Sequence, residues 1–336
     1  MELTYSQLRS IARGVLDVRH TPEGYRFDRF TPTQSAAFYR KAAWLGIKCT
    51  TSAGARLDFY TDADFLRFDY AQMVSTSERR FSYFDVYCND SLLLHYGTKD
   101  ASAPTDGTWQ VSLPSGENRV QIYFPTLSSF ALKALSLPDG ASLRPYHPQR
   151  RILLHGDSIT QGYDALFPSQ TYAARLSRYY DAEIFNQAIG AACFNPEVIE
   201  RVTEDDPDFI LIAYGTNDWQ MKNAADFQTD AKAFFHKMVE TYPGVPTFQI
   251  LPIWRTDLGE VFPNAGDFME CRQLLAQLAS AEGITVLDNY ELVPHDADLL
   301  ADGYLHPNDE GFAFYARNLC RMLDPLLKNK TAICSS

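Results

Sequence analysis

At 336 residues, with 46% hydrophobic and 13% aromatic side chains, the chain can bury a substantial core, and its length favours two domains over one. A net charge of -12 and a pI near 5.0 argue against a nucleic-acid partner, because phosphate binding needs clustered Lys and Arg. No stretch of the sequence reaches membrane-spanning length, so no membrane partner is expected.

The amino-terminal run MELTYSQLRSIARGVLDV reads as a short amphipathic helix with Leu8, Ile11 and Leu16 on one side, without the unbroken apolar run of a secretory signal. Cys49, Cys88, Cys193, Cys271, Cys320 and Cys334 are scattered, with neither a Cys-x-x-Cys pair nor zinc-site spacing. Reduced thiols, a cytoplasmic location and no metal are therefore expected. Short alternating runs follow: Leu57–Tyr60, Leu66–Tyr70, Phe84–Cys88, Trp109–Leu113 and Val120–Phe124, punctuated by Gly, Asn, Asp and Pro. Period-two strands with turn signals between them predict a β-sandwich of jelly-roll type over residues 1–145.

After Pro148 the pattern changes to compact apolar strands separated by helix-length segments, which predicts a parallel sheet covered on both faces. Strands are expected at Arg151–Leu154, Glu183–Asn186, Phe209–Tyr214, Thr247–Pro252 and Thr285–Leu287. Helices are expected near Gln170–Tyr180, Pro196–Val202, Ala225–Tyr242, Phe268–Glu282 and Asp309–Leu323. This second domain spans residues 149–326, with 327–336 as a frayed tail.

Four features fall at strand ends. The first strand runs into Gly156-Asp157-Ser158, which puts a serine at the carboxyl edge of the sheet and at the positive end of a helix. Alone, Ser158 could equally be an N-cap. After the second strand comes Gly190, where the missing Cβ would let a substrate oxygen approach a main-chain N–H. The third strand is followed by Gly215-Thr216-Asn217-Asp218, which leaves an amide donor, or an Asx turn, at the same edge. The last strand is followed by Asp302-Gly303-Tyr304-Leu305-His306-Pro307.

In this order, the four blocks resemble those of the SGNH (GDSL-like) hydrolases over Arg151 to Leu323. The resemblance implies a flavodoxin-like three-layer α/β/α domain, in agreement with the strand and helix alternation. It implies Ser158 as nucleophile, His306 as base, an oxyanion hole of Ser158, Gly190 and Asn217, and no cofactor. The family's acid usually lies three residues before the histidine, which is Gly303 here; Asp302 lies four before. Either the loop bulges and Asp302 completes a triad, or a Ser-His dyad works with a backbone carbonyl. Asp296 and Asp298 are fallback acids, and Asp157 shapes the turn.

The amino-terminal region is similar to the β-sandwich that precedes the hydrolase in some carbohydrate esterases. The expected activity is hydrolysis of a small ester, above all an acetylated sugar, with Trp219 and Trp254 as stacking platforms or core residues. An esterase or thioesterase on another small substrate and a degenerate carbohydrate-binding protein are the alternatives. A homo-oligomer stays open.

Overall fold

The computed structural model describes residues 1–260 and 263–333. The amino-terminal helix is shorter than expected, Tyr5–Ile11, closed at its start by a capping box between Thr4 and Gln7. It buries Leu8 and Ile11, while Leu16 lies beyond its end.

The alternating segments pair into two antiparallel sheets. One is ordered Ala12–Arg13, Arg56–Thr61, Asn118–Tyr123, Ser82–Cys88, Ser91–Thr98, with Arg144–Pro145 added beside Arg56–Thr61. The other is ordered Asp17–Thr21, Gly24–Asp28, Ser128–Ser136, Phe65–Ser75, Thr105–Ser112. Their inner faces meet in an apolar core in which Phe68 stacks on Trp109 at 4.8 Å and Phe84 meets Phe130 edge-on at 5.0 Å.

The second domain carries five parallel strands: β1 (Arg150–Gly156), β2 (Ala182–Asn186), β3 (Phe209–Ala213), β4 (Thr247–Ile250) and β5 (Thr285–Leu287). Their order is β2-β1-β3-β4-β5. Runs such as Ile152-Leu153-Leu154 and Phe209-Ile210-Leu211-Ile212 are buried on both faces, as strands between two helical layers must be. Helices Tyr172–Tyr180 and Asp309–Ile333 cover one face, and Ala224–Thr241 and Phe268–Ala281 the other. The chain is thus an antiparallel β-sandwich followed by a three-layer α/β/α domain.

Several elements depart from the sequence-based expectation. The helix expected at Pro196–Val202 is a single turn, Pro196–Val198. The last helix does not stop at Leu323 but continues to Ile333, because Leu326 and Leu327 keep packing on the apolar layer; most of the expected frayed tail is therefore helical. Two helices in the amino-terminal region, Pro32–Lys41 and Ala43–Lys48, were not expected. Together with Phe30 just before them, they send Phe38 and Leu45 into the same apolar cluster as Leu153, Ile210 and Ile212 of the parallel sheet.

All five described cysteines are free thiols, and Cys334 lies outside the described residues. Among the described residues no helix is long and apolar enough to cross a membrane.

Buried cations tie the two sheet systems together. Arg29 donates from Nε to the Thr51 carbonyl at 2.7 Å, from Nη2 to Thr51 Oγ1 at 2.9 Å, and from Nη1 to the Asn186 carbonyl. Burial pulls its guanidinium down to about 10, so it stays charged at neutral pH. Arg56 pairs with Asp58 at 3.0 Å and reaches Ser177 Oγ at 2.7 Å across the junction. Replacing Arg29 with Met would leave the Thr51 and Asn186 carbonyls buried without their donor. We expect a loss of about 3 kcal/mol in unfolding free energy, read from the urea midpoint, because each unsatisfied buried group costs about 1–3 kcal/mol.

Candidate active site

The carboxyl ends of β1 and β3, where the connections diverge to opposite faces, form the crevice in which such sheets bind ligands. Ser158 opens a one-turn helix, Ser158–Gln161, immediately after β1. Asp157 caps that turn by accepting the Ile159 N–H at 3.1 Å, and Gly162 ends it in the left-handed region at φ 105°. Tight closure over the strand end leaves Ser158 Oγ facing the loop that follows β5.

That loop brings the imidazole. His306 Nε2 lies 2.7 Å from Ser158 Oγ, and His306 Nδ1 lies 2.5 Å from Asp302 Oδ2. The extra residue in the spacing is absorbed at Gly303, whose φ of 76° turns the chain back on itself. Asp302 Oδ1 accepts the N–H groups of Tyr304, Leu305 and His306 at 3.1, 2.9 and 3.0 Å. Burial opposes ionisation of Asp302, but the hydrogen bonds from His306 and from these N–H groups outweigh it and hold the carboxyl well below its ordinary value. The structure therefore gathers Ser158, His306 and Asp302 into one hydrogen-bonded row. Asp296 instead caps a 3-10 turn by accepting the Asp298 N–H at 3.0 Å.

The oxyanion side differs from expectation at one position. Gly190 does not present a free donor: its N–H is given to Gln161 Oε1 at 2.6 Å. Its glycine is required by packing, since a Cβ there would lie 2.5 Å from the Tyr163 ring. The Gly190 carbonyl is also engaged, accepting from Lys48 Nζ at 3.0 Å. The next residue, Ala191, is held in the left-handed region at φ 63°, and no acceptor among the described residues takes its N–H. The Asn217 amide gives one N–H to the Ala192 carbonyl at 3.1 Å, and its second donor is left over.

Ser158, Gly190, Ala191, Asn217 and His306 line a cavity of about 650 Å³. Neither expected tryptophan lines it. Trp219 is buried, edge-on to Phe268 at 4.9 Å, with its indole N–H donated to the Gly266 carbonyl. Trp254 stacks on His295 at 4.7 Å, away from the cavity. Both follow strand ends, but their side chains turn into neighbouring structure. The aromatic walls are Trp44, Tyr163 and Tyr304, with Trp44 46% exposed. Trp44 sits on the unexpected Ala43–Lys48 helix, so no strand-end rule could have found it.

No His/Asp cluster in the sequence has metal-ligand spacing, yet the fold brings three such residues together. Ligand atoms of Asp164, Asp302 and His306 lie within 4.8 Å of one another. An organic cation already sits against them: Arg79 Nη2 is 2.8 Å from Asp164 Oδ2 and 3.5 Å from both Asp302 Oδ2 and His306 Nδ1. On the cavity wall, burial and then the charge of Arg79 lower Lys48 to about 8. Arg255 is buried and held by Asp257 at 2.5 Å.

Residues 154–314 match the family model of the GDSL-like Lipase/Acylhydrolase family. The carboxyl-terminal domain belongs to this family. No curated protein matches the chain. Among solved structures, the chain is similar to a salicylyl-acyltransferase of a tetracycline biosynthetic pathway, at 21% identity and a TM-score of 0.81, covering 94% of each chain. It is similar to a family two carbohydrate esterase from Clostridium thermocellum, solved with cellohexaose, at 15% identity and a TM-score of 0.63, covering 83% of this chain and 94% of that one. A family two carbohydrate esterase from Cellvibrio japonicus matches at 18% identity and a TM-score of 0.62, covering 83% and 90%. At these identities the likeness establishes a shared fold.

The cap beside the nucleophile carries a measurable consequence. Burial, despite the Ile159 N–H bond, pushes the Asp157 carboxyl up to about 7. An acid raised in the folded state weakens folding progressively from its unfolded value of about 3.9 up to pH 7, and by a constant amount above that. Asp157→Asn keeps a capping oxygen and removes the buried charge. We expect it to raise Tm at pH 8 relative to the parent protein, and to raise it much less at pH 4.5.

Proposed function

We propose that the protein is a serine carboxylic ester hydrolase that removes acetyl groups from O-acetylated sugars or oligosaccharides. The observation that carries this reading is the row Ser158 Oγ, His306, Asp302, with contacts of 2.7 and 2.5 Å. Ser158 Oγ attacks the ester carbonyl while His306 Nε2 takes its proton, and Asp302 holds the Nδ1–H tautomer. The oxyanion forms against the N–H groups of Ser158 and Ala191 and the second amide donor of Asn217. Ala191 replaces Gly190 in this role because Gln161 already occupies the Gly190 N–H. Collapse expels the alcohol, protonated by His306, and leaves an acetyl-enzyme. Water, deprotonated by the same imidazole, then releases acetate and restores the serine.

Support for a sugar as the alcohol comes from the half-exposed Trp44 ring and the Tyr163 and Tyr304 rings at the cavity wall, which suit stacking on a pyranose face. The likeness to carbohydrate esterases agrees with it. A degenerate, binding-only domain is disfavoured, since a nucleophile, base and acid in hydrogen-bonding contact would be superfluous to binding.

Ser158→Ala should abolish hydrolysis of a chromogenic acetate ester and of acetylated xylo- or cello-oligosaccharides, with circular dichroism unchanged; full activity in this variant would overturn the reading. Asp302→Asn should lower kcat by about a thousandfold or more through the wrong tautomer, somewhat less than His306→Ala. A loss of only tenfold or less in the Asn variant would point to a dyad. Asn217→Ala should cost about 2.7–4 kcal/mol of transition-state stabilisation, seen in kcat rather than in KM.

A further inference from the structure

We propose that Arg79, supplied by the β-sandwich, is a positioning residue for the His306–Asp302 pair, binding Asp164 so that only Asp302 engages the imidazole. The proposal rests on the ester-hydrolase reading above and extends it to a residue outside the hydrolase domain.

The geometry is specific. Arg79 lies in the connection between strands Phe65–Ser75 and Ser82–Cys88 of the two sandwich sheets. That connection is fixed at Arg79 itself: its carbonyl accepts from Ser75 Oγ at 2.7 Å and Ser77 Oγ at 3.2 Å, and its N–H donates to Ser77 Oγ at 3.1 Å. The guanidinium is a two-pronged donor to Asp164, Nε to Oδ1 at 2.9 Å and Nη2 to Oδ2 at 2.8 Å. Asp164 is a non-glycine residue at φ 68°, an uncommon conformation that aims its carboxylate at the catalytic row.

Asp164 Oδ2 stands 3.6 Å from His306 Nδ1, so two carboxylates face one imidazole edge. The other groups facing His306 are Ser158 on Nε2 and the Tyr163 and Tyr304 rings at 5.7 and 6.3 Å; Lys48 and Arg255 also line the cavity. Two uncompensated carboxylates would hold the imidazole in its protonated form, which cannot act as a base. A cation fixed to one of them cancels the excess charge, and a planar fork does so in one orientation where an ammonium would not.

Two substitutions should move the acid limb of the kcat/KM profile in opposite directions. Arg79→Gln exposes His306 to both carboxylates, so the limb should move to higher pH by about one unit, with activity well below the limb down about tenfold and largely restored above it. Asp164→Asn removes one of the two carboxylates and leaves the charge of Arg79 beside the imidazole with Asp302 as its remaining counter-charge, so the limb should move to lower pH. In Arg79→Gln/Asp164→Asn the limb should return toward that of the parent, and Arg79→Lys should fall between parent and Gln variant. A limb that stays in place in both single variants, or a loss in Arg79→Gln that is equal at every pH, overturns the proposal. NMR titration of the His306 ring reads the same shifts without turnover. The ester-hydrolase reading fails separately, in the unsubstituted protein, if hydrolysis is absent or survives Ser158→Ala; the titration still decides the role of Arg79 in that event.

Discussion

A single imidazole must be neutral, correctly protonated and aimed at a hydroxyl, and most of what surrounds the cavity can be understood as meeting those conditions. Nδ1 needs a carboxylate to hold its proton, but the carboxylate must not also hold a second proton on Nε2. Asp302 meets the first condition because three successive main-chain N–H groups fix its other oxygen. Charge balance meets the second, and it depends on residues drawn from both domains. The 2.7 Å contact between Nε2 and Ser158 Oγ is then the product of two loops, one after β1 and one after β5, converging on the same sheet edge.

The oxyanion side follows a similar logic of fixed dipoles. The peptide units on both sides of Gly190 are held, its N–H by Gln161 and its carbonyl by Lys48. Gln161 is itself anchored by donating to Thr51 Oγ1 at 3.1 Å and to the Thr126 carbonyl at 3.3 Å, so the sandwich side of the molecule sets its position. With those groups occupied, the N–H of the adjoining Ala191, a residue of the cavity lining, is left without an acceptor among the described residues. In the proposed reaction little reorganisation is needed when negative charge develops, which is how such donors lower a barrier.

Much of this was legible in the sequence, for identifiable reasons. The five parallel strands are short, doubly buried runs bounded by polar turns, and their positions were read to within a few residues. Ser158 and Asn217 lie just after strand ends and His306 in the connection between β5 and the last helix, all in recognisable blocks, so their meeting at one edge follows from topology. What was not legible depends on contacts distant in sequence. Gly190 looked like an oxyanion glycine because a missing Cβ has the same appearance whether a ligand or the Tyr163 ring fills the space. Trp219 and Trp254 follow strand ends, as a platform would, but rotamer and packing decide which way an indole faces. Trp44, Arg79 and Asp164 carry no periodic or motif signal at all. The helices at Pro32–Lys41 and Ala43–Lys48 interrupt a run of β-strands, and their apolar side chains find partners only in the other sheet system.

The separation of these groups along the chain also bears on how the molecule acquires its site. Ser158 and His306 are 148 residues apart, and Arg79 and His306 are 227 apart. Contacts of such range are entropically costly to close, and they reward the chain only once the surfaces they join are already formed. The charge balance around His306 exists only after the sandwich and the parallel-sheet domain have docked. Recovery of secondary structure on refolding would therefore precede recovery of a competent nucleophile, and the final event would be the seating of one arginine from the sandwich against one aspartate of the hydrolase domain.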